Sequence, residues 1–368
     1  MKNILLNKRV LVTGACGTVG YELARQILNR NQIKELIAVD NNESELFFME
    51  QRFQHHKNTQ FFLADIRDAA KMCRCTRGVD VVFHTAAFKH VILCERSPFE
   101  AVQTNIIGVQ NIISAACENK IGRVIFTSSD KAVNPTSVMD TSKLMGERLI
   151  TAANSNRRTG NTIFASTRFG NVLGSRGSVI PIFREQIRNG RAVTITDSRM
   201  TRFIMSIKEA VRLVIDSAML AKGGEVFVTK MPVIRISDLA EVMIEKLSPL
   251  FGHNPEEIQI KIIGTKPGEK IYEELMNDEE IRRSVELERY YAVTPAFRSL
   301  YCDISYDYPN VISAQVKHAY NSANETPLTK EQLSKFLEKN NLLYEDPSIS
   351  KHPDERFWPD ARSAIEDR

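Results

Sequence analysis

Long apolar runs are absent from this sequence of 368 residues. No segment approaches the roughly 20 consecutive apolar residues that a bilayer-spanning helix needs. The apolar stretch in the N-terminal MKNILLNKRVLVTG is too short for a signal peptide and continues directly into a buried-strand pattern. We therefore expect a cytoplasmic protein without a membrane partner.

Paired cysteines and basic clusters are missing as well. None of the six cysteines forms a CxxC pair, so the sequence predicts neither a zinc site nor a thiol redox centre, and no metal is expected. The 49 Lys and Arg residues are dispersed among 45 Asp and Glu, which gives no footprint for nucleic acid. The hydrophobic share of 43% is that of a globular protein that buries a large core.

The first half alternates short β-branched runs with longer amphipathic segments, a pattern typical of βαβ units on a parallel sheet. Strands are predicted at RVLVTG, ELIAVD, TQFFLAD, DVVFHTAA, RVIFTSS and TIFASTRFG. Helices are predicted over 18–28, at ESELFFMEQRF, near 99–117 and over 137–153. The pattern therefore predicts an α/β, Rossmann-like doubly wound sheet.

The alternation of predicted strands and helices becomes less regular after residue 170, which indicates a smaller lobe interleaved with the first domain. We assign 1–170 to a nucleotide-binding domain to which 200–230 returns, and 171–199 with 231–300 to a substrate lobe. Residues 301–344 form a C-terminal extension. EKIYEELM is predicted to be a helix, and TPLTKEQLSKFLEKNNLL another, with Thr329 and Gln332 spaced as a capping box. The polar segment 345–368 is either a poorly ordered tail or a partner-docking strip.

A dinucleotide site is indicated by VTGACGTVG, in which glycines follow a strand and open a helix. Missing β-carbons permit a tight turn and close approach of a pyrophosphate, and the helix N-terminus offers free N–H groups. Asp40 closes the second strand 20 residues after Gly20, where a carboxylate accepts both ribose hydroxyls of NAD and repels the 2′-phosphate of NADP. Asp65 is placed to accept from the adenine amino group or to cap a helix. The residues assigned to the cofactor are Gly14, Gly17, Thr18, Val19, Gly20, Asp40, Asp65, Ile66, Ala86 and Lys143.

The segment TSSDKAVNPTSVMDTSK follows the fifth strand, at the sheet edge where α/β proteins bind ligands. Lys143 lies one helical turn after Met139, so the two side chains share a face. Lysine there can hydrogen-bond the nicotinamide ribose and lower the pKa of a neighbouring hydroxyl. Asp130 and Lys131 could instead form a surface ion pair, although adjacent side chains in an extended segment point apart.

The ordered motifs TGACGTVG, HTAAFKHVILCERSPFEAVQTNIIG, SSDKAVNPTSVMDTSK, RFGNVLGSRGSVIPIF, TITDSRMTRFIMS and GTKPGEKIYEELM resemble those of UDP-N-acetylglucosamine 4,6-dehydratases. These are extended short-chain dehydrogenases/reductases of bacterial surface-glycan pathways. The resemblance covers about 9–276. Many relatives carry a membrane-spanning N-terminal region, so this chain resembles the soluble branch. The second half resembles the branch that retains the configuration at C5.

The resemblance implies a redox-neutral dehydration of UDP-N-acetylglucosamine. Hydride leaves C4 for NAD, C5 loses a proton, water leaves from C6 and the hydride returns to C6. Asp130 matches the family's acid and Lys131 its base, and such a base needs a depressed pKa. Met139 stands where relatives often carry tyrosine, but some members also have methionine there. Ser129 then occupies a relay position toward Lys143 or solvent.

Several further positions match the family's UDP-sugar site, and arginine suits a diphosphate because its planar donors bind two oxygens. They are Lys89, Asn105, Arg168, Asn171, Arg202 and Glu269. Three alternatives remain: a C5-inverting dehydratase, a UDP-sugar 4-epimerase, and a non-catalytic sensor of NAD or nucleotide-sugar. The Asp130–Lys131 pair disfavours the last two. A homo-oligomer is also expected.

Overall fold

A computed structural model describes residues 3–30, 32–155, 161–175, 178–265, 268–297 and 304–344. The strands are β1 (Arg9–Thr13), β2 (Glu35–Asp40), β3 (Thr59–Leu63), β4 (Val81–His84), β5 (Arg123–Ser129), β6 (Ile163–Phe169), β7 (Asn171–Val172), β8 (Val193–Ile195), β9 (Thr201–Met205), β10 (Val226–Thr229), β11 (Val233–Arg235), β12 (Ile260–Ile262), β13 (Glu274–Met276), β14 (Ser284–Leu287), β15 (Tyr290–Val293), β16 (Val311–Ser313) and β17 (Tyr320–Asn321).

The helices complete the described elements. They are α1 (Thr18–Arg30), α2 (Glu43–Phe53), α3 (Ala69–Cys75), α4 (Val91–Arg96), α5 (Pro98–Val102), α6 (Gly108–Glu118), α7 (Val138–Ala153), α8 (Val179–Arg188), α9 (Ile207–Leu220), α10 (Ile236–Leu247), α11 (Asp278–Ile281) and α12 (Lys330–Lys339). None of the helices in the described residues is long and apolar enough to cross a membrane.

Within the described residues the main sheet has ten strands, in the order β16-β14-β15-β10-β6-β5-β4-β1-β2-β3. The seven strands from β10 to β3 run parallel, and β15 pairs antiparallel with β10. Helices cover both faces, which is why strands such as β1 and β5 are buried along almost their whole length. The predicted doubly wound α/β fold is confirmed.

Three large apolar clusters hold the elements together. One joins α1, α2 and α9 to one face of the main sheet, and a second joins α3, α6 and α7 to the other face. The third lies between α8, α10, α12 and β8 and includes Phe183, Leu239 and Leu333. This third cluster gives the smaller lobe a core of its own.

Two predicted helices are interrupted or absent. The segment near 99–117 contains a π-helical turn, Gln103–Ile107, between α5 and α6. EKIYEELM is not a helix, because its last residues form β13, which pairs antiparallel with β17. Tertiary pairing with the C-terminal part of the chain overrides the local helix propensity there.

The division of the C-terminal half between the two lobes also differs from the predicted one. β14 and β15 extend the main sheet, although 231–300 was assigned to the substrate lobe. The extension 301–344 likewise contributes β16 to the main sheet and α12 to the smaller core. The capping box of Thr329 and Gln332 is confirmed at the start of α12. The predicted tail 345–368 lies outside the described residues.

Candidate active site

The glycine loop between β1 and α1 is closed tightly on the end of β4. Gly14 has φ +65°, and a Cβ there would lie 2.7 Å from backbone atoms of Ala86. A Cβ on Gly20 would lie 2.2 Å from the Gly14 carbonyl oxygen. α1 begins at Thr18, so the peptide N–H groups of its first turn follow directly on this loop. A pyrophosphate fits such a cradle, since side chains are excluded and the helix dipole favours anions.

Asp40 lies against the glycine loop. Its Oδ2 accepts from the Cys16 backbone N–H at 2.9 Å, and its Oδ1 accepts from the Asn42 N–H at 2.9 Å. The carboxylate thus sits beside the loop at the end of β2. This placement suits a contact to the ribose next to a bound pyrophosphate.

Asp65 does not cap a helix, because α3 is capped by Asp68. The Asp65 carboxylate instead accepts hydrogen bonds from the Arg67 guanidinium, with Nη2 at 2.7 Å. Those hydrogen bonds lower the pKa of Asp65. The neighbouring Ile66 is buried and packs close to Gly108 at the start of α6.

The predicted catalytic residues emerge together where β5 ends. A 3₁₀ turn, Asp130–Ala132, follows Ser129, whose Oγ accepts from the Lys131 N–H at 3.2 Å. The expectation that Asp130 and Lys131 point apart was wrong, because this turn is not extended. Their side chains form an ion pair, and Asp130 is only 4% exposed. The Asp130 carboxylate is therefore interior, while the Lys131 side chain of the same pair is 29% exposed.

A buried carboxylate, Glu273, completes this group. The Lys131 Nζ donates to Glu273 Oε1 at 3.0 Å, and the Arg202 Nε lies 3.3 Å from the same oxygen. Asn171 Nδ2 donates to both Glu273 oxygens, at 3.0 and 2.8 Å. The four residues around Glu273 come from the turn after β5, from β7 and from β9. We call Asp130, Lys131, Asn171, Arg202 and Glu273 the acid–base cluster.

The charges of this cluster shift its pKa values in different directions. Burial, together with the negative charge of Glu273, raises the pKa of Asp130 to about 7. Burial raises the pKa of Glu273, but the positive charges of Lys131 and Arg202 outweigh it and bring that pKa to about 2. Burial lowers the pKa of Lys131, but Asp130 and Glu273 outweigh it and raise that pKa above its usual value. The depressed pKa expected for a lysine base is thus not the one found.

Lys143 lies under the end of β5. Its Nζ donates to the Thr127 carbonyl oxygen at 3.2 Å and lies 5.1 Å from the centre of the Phe126 ring. Burial lowers the pKa of Lys143 to about 8. The amine therefore loses its proton more readily than an exposed lysine does.

Met139 is 3% exposed and packs in a small apolar cluster with Cys94 of α4 and Ala101 of α5. It fills the space between α7 and these two helices. A thioether suits such a gap, since methionine is flexible and carries no hydrogen that must be bonded.

Arg168 and Asn105 are fully committed to other protein groups. All five N–H donors of Arg168 are used, on Glu147, Glu280 and the Leu275 carbonyl oxygen, and Arg168 is 1% exposed. Asn105 lies in the π turn, where its side chain donates to the Phe88 carbonyl oxygen and to Ser142 Oγ. The structure does not support direct contact of either side chain with a diphosphate.

The other predicted substrate residues are spread around the cluster. Asn171 and Arg202 belong to it, although Arg202 also donates to the carbonyl oxygens of Lys270 and Ile271. Glu269 Oε1 accepts from Thr196 Oγ1 at 3.2 Å, and Lys89 is exposed on the loop that follows β4. Only two of the six predicted residues are therefore brought together with Asp130 and Lys131.

Sequence reasoning missed Glu273, Glu147 and Glu280. Glu273 was read as part of a helix, and a glutamate in an amphipathic helix is ordinarily exposed. The structure buries Glu273 and Leu275 on either side of the half-buried Glu274 where the chain enters β13, an alternation that the residue types do not reveal.

A known protein family and several known proteins match most of this chain. A family model described as "Polysaccharide biosynthesis protein" matches residues 10–295. A "UDP-N-acetylglucosamine 4,6-dehydratase (inverting)" of Campylobacter jejuni is 37% identical over 292 residues, which is 79% of this chain and 84% of that protein. The chain therefore belongs to the family whose model is described as polysaccharide biosynthesis protein. It is a member of the polysaccharide-biosynthesis group of extended short-chain dehydrogenases/reductases.

Other relatives of this chain carry different names. An "Uncharacterized membrane protein" of Methanocaldococcus jannaschii is 46% identical over 343 residues, 93% of this chain and 99% of that protein. A "UDP-glucose 4-epimerase" of Rickettsia typhi is 38% identical over 300 residues, 81% of this chain and 86% of that protein. The chain spans about half the length (48%) of a capsular polysaccharide biosynthesis protein of Staphylococcus aureus.

Solved structures resemble the whole fold. Pen from Bacillus thuringiensis is 39% identical with a TM-score of 0.85, and the match covers 93% of this chain and 100% of that one. The dTDP-glucose 4,6-dehydratase DesIV of Streptomyces venezuelae, solved with NAD bound, shares the fold at 21% identity with a TM-score of 0.63, over 72% of this chain and 86% of that one. The family and the fold together identify an enzyme that modifies nucleotide-sugars.

Proposed function

We propose that this protein catalyses the NAD-dependent 4,6-dehydration of UDP-N-acetylglucosamine to a UDP-4-keto-6-deoxy-N-acetylhexosamine for bacterial surface-glycan synthesis. The observation that carries this proposal is the contact of the buried Asp130 carboxylate with the partly exposed Lys131 amine at the carboxyl end of β5. An elimination needs an acid and a base on neighbouring atoms of the sugar, and an acid–base pair on adjacent residues can serve both.

The residues around the glycine loop fit NAD. The loop of Gly14 and Gly20 would hold the pyrophosphate, and Asp40 would hold the ribose. When bound, NAD supplies a site that accepts a hydride from C4 of the sugar and later returns it to C6. The chain's own residues must therefore move four protons: one from the 4-hydroxyl, one from C5, one to the leaving hydroxyl and one back to C5 when the hydride returns to C6.

The acid–base cluster has one proton arrangement suited to the elimination. A raised pKa lets Asp130 hold a proton near neutral pH and donate it to the hydroxyl that leaves C6. Lys131 must be neutral to accept the proton from C5. Because its amine contacts the Asp130 carboxylate directly, transfer of one proton from Lys131 to Asp130 prepares both groups at once.

The proton of the 4-hydroxyl needs a separate acceptor, since Met139 has none. We propose that Ser129 relays it to Lys143 or to solvent. Burial lowers the pKa of Lys143 to about 8, so a substantial fraction of this amine is neutral in mildly alkaline solution. A neutral amine can accept the relayed proton.

The test is a proton NMR time course with UDP-N-acetylglucosamine in deuterium oxide. We expect formation of the 4-keto-6-deoxy product without net consumption of NAD, deuterium from solvent at C5, and transfer of a C4 deuterium label to C6. Asp130→Asn and Lys131→Ala are expected to abolish the elimination and to leave NAD bound. Wild-type turnover in both variants would contradict the assignment of the acid and the base.

The configuration at C5 is read from the same spectra. We propose retention, on the resemblance of the second half of the chain to the retaining branch. The Campylobacter relative is named as inverting, so inversion is the competing outcome. Coupling constants between the sugar protons distinguish the two products.

A second candidate is a UDP-sugar 4-epimerase, because the Rickettsia relative carries that name at similar identity. An epimerase needs the 4-keto step but no acid and base for C5 and C6. Formation of the C4 epimer with no loss of water would favour it over the dehydratase.

A further inference from the structure

Glu273 has no assigned role, yet its carboxylate contacts three of the other four members of the acid–base cluster. It is 2% exposed, accepts hydrogen bonds from Lys131 and Asn171, and forms an ion pair with Arg202. A buried carboxylate is unfavourable unless it is paired and hydrogen-bonded. A purely structural role would be met by pairing with Arg202 and Asn171 alone.

The segment that carries Glu273 is fixed from two sides. Arg202 of β9 donates to the carbonyl oxygens of Lys270 and Ile271, at 2.8 and 3.1 Å. On the other side, the Glu273 N–H donates to Ser322 Oγ at 2.9 Å, and the Ser322 N–H donates to the Glu273 carbonyl oxygen at 2.8 Å. The carboxylate is thus held in place by backbone contacts that do not involve Lys131.

We infer that Glu273 is a positioning residue for the elimination: it anchors the Lys131 amine beside Asp130 and keeps Asp130 in its protonated, acidic form. This inference rests on the proposed dehydration. The Lys131 Nζ lies 3.0 Å from Glu273 Oε1. Because Glu273 is itself fixed, this contact restricts the positions that the amine can take. The negative charge of Glu273 also disfavours ionisation of the neighbouring Asp130 carboxyl.

The charged groups that face this site all bear on its pH dependence. Lys131 lies in the same turn as Asp130, Arg202 comes from β9, and Lys270 comes from the loop that precedes Glu273. The two lysines favour an ionised Asp130, whereas Glu273 opposes ionisation, and Arg202 acts on Lys131 and Glu273. Removal of the Glu273 charge takes one counter-charge from Lys131 and from Arg202, and it also removes the anion that opposes ionisation of Asp130, so the pKa of Asp130 should fall.

Glu273→Gln tests the inference, since glutamine keeps the size and the hydrogen bond from Asn171 but not the charge. The elimination, followed as deuterium incorporation at C5, should slow by about 10²-fold, the usual effect of a misplaced reacting group. The NADH absorbance of a single turnover should rise at the wild-type rate, because the hydride step does not use this cluster. A loss confined to KM would contradict the inference.

The pH profile separates the electrostatic role from a merely structural one. The active pair carries one proton, which Lys131 passes to Asp130. Below the pKa of Asp130 both groups are protonated and no base is available, so the elimination rate rises as the pH passes upward through that pKa. Because Glu273→Gln lowers the pKa of Asp130, that rising limb should move to lower pH, and Glu273→Asp should move it back toward the wild type. An unmoved limb in Glu273→Gln would overturn the inference.

A measurement without substrate gives the same answer independently. The ¹³C signal of the Asp130 carboxyl, assigned by its disappearance in Asp130→Asn, should titrate at lower pH in Glu273→Gln than in the wild type. Identical titration would refute the electrostatic role.

The matched control is Glu274→Gln, the same change at the next residue. Glu274 accepts from Asn134 at 2.6 Å and has no contact with Lys131. It should leave the rates and the pH profile unchanged. If the wild type itself forms no dehydrated product, the proposed function fails; if it does and Glu273→Gln behaves like Glu274→Gln, this inference alone fails.

Discussion

Removal of the Arg168 charge should strongly destabilise the fold. Arg168 of β6 joins Glu147 of α7 to Glu280 of α11, and all three side chains are at most 4% exposed. Arg168→Met would remove the guanidinium with which both buried carboxylates pair, and Glu280 would keep only the longer ion pair to Arg283, at 3.8 Å. Breaking a buried ion pair from one side costs about 3–5 kcal/mol, and at roughly 2–4 °C per kcal/mol the fall in Tm is on the order of 10 °C.

The destabilisation should depend on pH in a defined direction. In the wild type, burial raises the pKa of Glu280, but Arg168 outweighs it and lowers that pKa, so the pair stabilises the fold above the unfolded value and is lost as the pH falls. In Arg168→Met the effect of burial on Glu280 would be opposed by Arg283 and the Asn277 N–H but no longer by Arg168, so the pKa of Glu280 should rise. Protonation then relieves the cost, so the difference in Tm between variant and wild type should shrink from pH 8 to pH 5.

Thermal unfolding by circular dichroism at several pH values measures both effects. Arg148→Met, one residue from Glu147 on the exposed side of α7, is the matched control and should change stability by less than about 0.5 kcal/mol. Adding Glu147→Gln and Glu280→Gln to Arg168→Met should recover most of the loss, because no unpaired charge remains. An unchanged Tm in Arg168→Met, combined with weaker binding of UDP, would refute this reasoning and return Arg168 to the diphosphate.

Three further substitutions test separate parts of the site. Gly20→Ala should weaken NAD binding at least tenfold by calorimetry, because the new Cβ would lie 2.2 Å from the Gly14 carbonyl oxygen and must push α1 away from the loop. Ser129→Ala should slow NADH formation in stopped-flow by about 10²–10⁴-fold if the serine relays the 4-hydroxyl proton, and Ser129→Thr should be mild; an unchanged rate would assign the proton to water and Lys143. Met139→Ala should lower stability by about 2–5 kcal/mol in urea unfolding, because it leaves a cavity between α7 and its neighbours, and a loss of chemistry without a loss of stability would contradict a packing role.

The sequence predicted the parallel core of the fold because its strands are short, apolar and separated by clear helices. The predicted ELIAVD and RVIFTSS coincide with β2 and β5. The antiparallel strands β14, β15 and β16 were not predicted, since each is only three or four residues long and pairs with partners far along the chain. Local pattern carries little information about such pairings.

The same distinction applies to the site. Asp130, Lys131 and Lys143 follow one strand or lie on one helix, so spacing was enough to group them. Glu273 reaches them only because the chain folds back over more than a hundred residues, and its surroundings come from contacts rather than from neighbours in sequence. The role of Arg168 was mistaken for a similar reason, because its two carboxylate partners lie on separate helices.

The antiparallel pairing of β10 with β15 has a consequence for biosynthesis. Translation produces β10 about sixty residues before β15, and until then the outer edge of Val226–Thr229 has no partner strand. Unpaired apolar edges are sites where chains associate wrongly. A nascent chain paused in the intervening α10 region would therefore be a target for chaperones, and a fragment that ends before Tyr290 would be expected to aggregate even though every strand of the nucleotide-binding sheet up to β10 is present.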